Sequence, residues 1–212
     1  MLKKLLFIFC GFVFIKCSAP SEKSLKVYHS LDSVMAVVKK TLSDSSAQDG
    51  NQRIKAFIPA GFSILDSLSG NLNLDNYPDM ILILKINGED SLFEINRPLL
   101  ILTGQENKTY KLETRNDSVV LCRSCGGVFG DPYESSVIKN GYFSIQHYGG
   151  SNWRWTRIIT FKYNKEKNNW VLHRDAGESF HTSAPDKTEK IVTNKNDFDV
   201  LSFEKFNNVK GF

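Results

Sequence analysis

Thiols are scarce in this chain and unevenly placed. Of its four cysteines, Cys10 lies inside an apolar stretch, Cys17 stands two residues after that stretch, and only Cys122 and Cys125 fall in the remaining sequence. A small scaffold stapled by several disulfides is thereby excluded. Long apolar runs are equally few: Leu5 to Ile15 is the longest, well short of the roughly 20 residues that cross a bilayer as a helix. An excess of one charge is also missing. Lys3, Lys4 and Lys16 belong to the first seventeen residues, and without them the 27 basic residues fall nearly level with the 23 acidic ones. Without a basic stripe or a recognisable module, nucleic acid is not an expected partner. Gly126 to Tyr133 is rich in glycine, yet it lacks the GxGxxG and Walker spacings that cradle phosphates. No Ser–His–Asp order, paired-carboxylate setting or complete zinc signature can be assembled.

What is present begins with an address. Lys3 and Lys4, the apolar Leu5 to Ile15 and the small residues Cys17-Ser18-Ala19 form the three parts of a secretory signal. Pro20 obstructs ordinary cleavage after Ala19, whereas a lipoprotein peptidase cuts before a cysteine and leaves it acylated. Residues 1–17 therefore read as a signal with Cys17 as the lipidation site, although Lys16 stands where a lipobox carries a small residue. The expected location is the bacterial cell envelope, facing periplasm or cell surface, with the lipid bilayer as a partner through the acyl anchor. Residues 18–30 suit a polar tether. Over 31–43, Leu31, Val34, Met35, Val38 and Leu42 recur at helical spacing and predict one amphipathic helix.

From Ile54 to the end, short β-branched and aromatic runs bounded by Gly, Asn, Asp and Pro predict a β-rich domain over 54–212. The expected fold is mainly β: a single curled antiparallel sheet or a sandwich, with the N-terminal helix packed against it. Strands are expected near 55–58, 62–67, 80–86, 98–103, 109–114, 118–121, 137–138, 142–148, 154–163, 170–174 and 200–206. Met80–Leu84 and Leu99–Leu102 are almost continuously apolar, which predicts strands covered on both faces. Asn140-Gly141 predicts a tight hairpin turn.

Three segments carry possible chemistry. Asn71, Asn73, Asp75 and Asp79 place oxygen-bearing side chains at nearly alternate positions ahead of an apolar strand. Converging oxygens suit calcium; the plainer reading is a turn in which Asn and Asp bond their own backbone. Cys122 and Cys125 fit a local disulfide, a redox pair, or half of a zinc site completed by two of His147, His173 and His181. Asp131, His147, Trp153, Arg154 and Trp155 are the candidate binding surface. Trp153 and Trp155 share one side of a strand while Arg154 takes the other, so they can present aromatic faces to a protein, peptide or glycan ligand, or fill the core.

The Asn71–Asp79 segment resembles the calcium-binding loops of FG-GAP and VCBS-type repeats, with Asn71 in place of the usual Asp and Asn76 in place of Gly. The run Cys122-x-x-Cys-Gly-Gly-Val-Phe-Gly-Asp-Pro-Tyr followed by His147-Tyr-Gly-Gly-Ser-Asn-Trp-Arg-Trp resembles a group of uncharacterised bacterial exported proteins. That resemblance implies an envelope address and one β-rich domain, and it lends no catalytic residues. The expected function is a non-enzymatic binding or scaffolding lipoprotein. The alternative is an envelope hydrolase with His147 or Asp131 as acid or base, or a redox or zinc protein built on the cysteine pair.

Overall fold

A computed structural model describes residues 53–89, 94–194 and 200–208. The signal, the tether and the helix expected over 31–43 lie outside the described residues. Two antiparallel meanders make up the rest. Strands β1 (Phe62–Gly70), β2 (Asp79–Ile86), β3 (Arg97–Gly104) and β4 (Tyr110–Val120) pair in sequence order as one sheet. Strands β5 (Tyr133–Lys139), β6 (Tyr142–Gly150), β7 (Trp153–Asn164), β8 (Asn169–His181) and β9 (Thr188–Asn194) pair in order as the second. The chain is thus mainly β, built from two sheets. Among the described residues no helix is long and apolar enough to cross a membrane.

Strand periodicity explains how the sheets meet. Side chains alternate between faces, and β6 does so cleanly: Phe143, Ile145, His147 and Gly149 are buried, with half-exposed residues between them. In β2 and β3 both faces are apolar. Ile81, Ile83, Leu99 and Ile101 join Phe143, Ile145, Ile159, Phe161, Trp170 and Leu172 in a core shared by the two sheets. Leu82, Leu84, Leu100 and Leu102 form a second cluster with Ile54 on the opposite face of the first sheet. Coverage on both faces is what the continuous apolar runs predicted. The β5–β6 hairpin turns at Asn140 (φ 49°) and Gly141 (φ 77°), as positive φ at both central positions requires.

Several expected strands differ. Lys55–Phe57 is a 3-10 turn; Pro59 and Gly61 follow closely and interrupt strand pairing. Residues 109–114 and 118–121 belong largely to one strand, β4. Within 200–206 only a bridge from Ser202 to Val171 has strand character, and Phe203–Lys205 is a 3-10 turn. Phe203 and Phe206, three apart, both reach the shared core, a helical spacing that reads falsely as a short strand. The Asn116 amide donates to the carbonyls of Phe203 and Phe206 at 2.6 and 2.8 Å and seats the turn. The sequence reading missed β9, because Ile191 and Val192 are 56% and 44% exposed and impose no alternation on an edge strand.

A buried cation ties the two sheets together. Arg97 opens β3 with its side chain 1% exposed. Its guanidinium donates to Glu89 at 2.5 and 3.2 Å and to Asp131, in the connection before β5, twice at 2.7 Å. Burial alone disfavours the charge, but hydrogen bonds and charges from both carboxylates outweigh it and raise the Arg97 pKa above its ordinary value. For Asp131 burial pushes the carboxyl up, and Arg97, the Tyr133 N–H and Arg123 more than reverse that, leaving it lowered. On the same flank the Tyr133 hydroxyl donates to Asp66 of β1 at 2.6 Å. Removing one partner of a buried ion pair typically costs about 3–5 kcal/mol. Arg97→Met is expected to lower unfolding stability by about 3 kcal/mol in urea denaturation, with Arg97→Lys in between; an unchanged midpoint would remove the clamp from the account of stability.

Candidate functional site

Three connections converge at one end of the second sheet: the loop 126–132, the β6–β7 turn and the β8–β9 turn. The Cys122–Cys125 disulfide, with Cα atoms 5.2 Å apart, closes the turn that enters the first of them, and the Cys125 N–H donates to the Cys122 carbonyl at 3.2 Å. The loop closes on itself through Gly126 N–H to Gly130 O at 2.8 Å and is laced to β6 by Gly150 N–H to Gly126 O at 2.9 Å and Val128 N–H to Gly150 O at 3.1 Å. Thr182 N–H to Asn152 O at 2.8 Å joins the two hairpin turns. Such close approach excludes side chains. A Cβ on Gly149 would lie 2.6 Å from the Trp155 ring, and one on Gly150 (φ 113°) 1.9 Å from the Trp153 carbonyl.

This lacework holds apolar groups in water. Val128 is 82% exposed, Phe129 46% and Trp153 53%. The Arg154 guanidinium lies 3.9 Å above the Phe129 ring centre, a cation–π geometry. Its Nη1 reaches the Tyr148 hydroxyl at 3.4 Å, the Phe129 and Tyr148 rings are 5.4 Å apart, and the Arg154 Nε has no hydrogen-bond partner. Trp153 packs edge-on against His181 at 5.2 Å.

The pleat divides the expected binding residues. His147 pairs with Arg157 and Gly149 with Trp155 across β6–β7, and these point to the inner face. Arg154 pairs with Gly150 and Phe180 and points to the other. His147 is fully buried. Its Nε2 accepts the Leu121 N–H at 3.3 Å, and its Nδ1 has no partner. Burial first, then the charges of Arg157 and Arg97, lowers its pKa to about 4. Asp131 is held by Arg97. His147, Asp131 and Arg154 therefore do not line a common pocket, and acid–base chemistry between them has no geometric support. Sequence reasoning missed the ionic partners: Glu89 and Arg97 in the clamp, and Arg157 with Asp175 at 2.6 and 2.8 Å. No motif marks them, since each pair joins residues from separate strands or connections.

In the Asn/Asp loop the side-chain oxygens are engaged by the loop itself. Asp79, fully buried, accepts the N–H groups of Leu72, Asn73 and Gly104 at 2.7, 3.1 and 3.0 Å. Burial raises its pKa despite these bonds. Asp75 accepts from the Tyr77 N–H and the Asn73 amide, both at 2.7 Å. Asn73 Oδ1 accepts the Asp75 N–H at 3.0 Å, and the Asn71 amide donates to the Asp75 carbonyl at 2.5 Å. These are the bonds of a turn closed by Asx side chains. Among the described residues no group of three or more His, Cys, Asp or Glu gathers to hold a metal, and the bonded sulfurs of Cys122 and Cys125 present no thiolate to zinc in this oxidation state.

No family model, curated protein or solved structure matches the chain.

Three outcomes follow from these geometries. Asp79→Ala leaves three N–H groups unpaired at about 1–3 kcal/mol each, so a loss of about 3 kcal/mol or more is expected in denaturant unfolding. Millimolar calcium is expected to move the wild-type melting midpoint by less than about 1 °C; a larger rise would put a cation in the loop. For His147, the folded-state pKa of about 4 lies below the unfolded value of roughly 6.5. Between these values the unfolded chain binds the extra proton, so stability is complete above about pH 6.5 and is lost as the pH falls toward 4, by up to ~1.4 kcal/mol per pH unit. Urea midpoints measured from pH 7 to 4.5 are expected to fall less steeply in His147→Gln than in wild type, and equal slopes would refute the assignment.

Proposed function

We propose that the chain is an exported lipoprotein, acylated at Cys17, whose β domain works by contact and not by catalysis, and that the contact surface is the loop-bearing end of the second sheet. The carrying observation is the exposed group Val128, Phe129 and Trp153, with the half-buried Arg154 guanidinium set against the Phe129 ring, on a support interlocked down to its glycines. Apolar side chains in water cost free energy, and a rigid exposed patch of them is characteristic of a surface that is covered in use. Loops held by a stable scaffold are also where binding residues concentrate. The Asp131 and His147 groups of the alternative enzymatic reading support structure here, one in the clamp and the other shut inside the sheets.

Palmitate supplied to growing cells is expected to label the wild type and not Cys17→Ala, with the variant leaving the membrane fraction; equal labelling or equal fractionation refutes the anchor. For the surface, oxidative footprinting of tryptophan in intact envelopes and in the purified chain reads coverage directly. Trp153 should react in the purified chain and be protected in envelopes, while the buried Trp170 stays unreactive in both. Equal reactivity of Trp153 in the two preparations would overturn the contact reading.

A further inference from the structure

We infer that what covers this surface is the bilayer itself: Val128, Phe129 and Trp153 enter the interfacial layer, and Arg154 meets the phosphate groups of the lipids. This rests on the membrane-anchored reading above.

Chemistry at the tip selects this partner. Val128, the most exposed residue of the group, offers no hydrogen bond to a sugar or a peptide, but it gains by leaving water for hydrocarbon at about 25 cal/mol per Å². Phe129 and Trp153 carry the large rings that partition to membrane interfaces, where Trp and Tyr keep a polar edge hydrated. Arg154 supplies charge complementarity. The buried guanidinium groups of Arg97 and Arg157 are both matched by carboxylates. Arg154 has only the Phe129 ring beneath it and the Tyr148 hydroxyl at 3.4 Å, and among the described residues no carboxylate stands within ion-pair distance of it. A half-buried cation without a carboxylate partner, beside apolar side chains, matches a layer in which phosphate lies above hydrocarbon.

The groove lined by Ser63, Lys85, Arg123 and Asp131 (about 610 Å³) opens at the base of the same loop, and Val128, Phe129 and Trp153 are not part of its lining. About 36 residues separate Cys17 from Arg53, and even fully extended they span only about 120 Å. Arg53 donates to the Lys108 carbonyl in the β3–β4 turn at 3.1 Å, at the end of the first sheet away from Cys122, and a tether of this length still lets the tip of an acylated chain return to the same membrane.

The test uses the full chain in producing cells. A photoreactive benzoylphenylalanine is placed at position 128, at 153, and at Leu112, which is exposed on β4. After irradiation, mass analysis should find phospholipid adducts from 128 and 153 and none from 112. Adding Arg154→Gln to the probe at 128 should cut that adduct about fivefold, the factor matching about 1 kcal/mol for one cation at an anionic leaflet; Arg154→Lys should retain most of it. Protein or glycan adducts without lipid at 128, or equal lipid adducts at 112, overturn the inference. Palmitate labelling of the same cells separates the two readings. Label without lipid adduct sinks bilayer docking and keeps the anchor, while lipid adduct without label sinks the anchor and keeps the docking.

Discussion

A guanidinium that is almost wholly out of water cannot stay charged without partners, and Arg97 cannot give up its charge. Its place at the start of β3 therefore obliges two other segments to bring it carboxylates. Glu89 comes from the turn after β2, and Asp131 from the far side of the disulfide-bounded turn. Arg123 adds to the arrangement by donating to the Glu89 carbonyl at 2.9 Å. Phe129 stands two residues before Asp131, so the clamp that joins the sheets also sets where the exposed loop begins and ends. Scaffold and contact surface share one anchor point.

The inner face of the second sheet changes character along its length. At one end Phe143 stacks on Phe161 at 5.1 Å, and Phe203 closes on both edge-on. Toward the loops the same face carries His147, then Arg157 bound to Asp175. The aromatic end supplies most of the burial that stabilises the domain. The ionic end contributes little net stability but much specificity, because a one-residue slip of β7 against its neighbours would turn Arg157 outward and leave Asp175 unmatched. Beyond Arg157 the inner face is no longer fully covered, and there Trp153 emerges into solvent.

These contrasts explain what could be read from sequence. Asn140-Gly141 announced its hairpin because positive φ is a local demand, and the unbroken apolar texture of β2 and β3 announced burial on both faces. The parity of Trp153, Arg154 and Trp155 was legible too, being a property of any strand. Where the covered part of β7 ends was not, since that depends on how far the first sheet extends over it. The Arg97 clamp was equally hidden: its members are tens of residues apart and look like ordinary surface charges until the sheets face each other. Strand β9 escaped because an exposed edge leaves no periodic trace.

The order of strands has a consequence for how the molecule is made. Each sheet is a simple meander, and residues 62–120 complete the first before any strand of the second begins. Pairings between successive strands keep loop closure short and favour rapid formation. A chain emerging amino end first can thus finish one sheet while the other is still unmade, with Ile81, Ile83, Leu99 and Ile101 uncovered in the interval. The Phe203–Phe206 segment arrives last and fills the remaining gap in the shared core. The most aggregation-prone moment in the life of this protein is accordingly the stretch of synthesis between β4 and β8, and a pause or truncation there leaves an apolar sheet with nothing to close it.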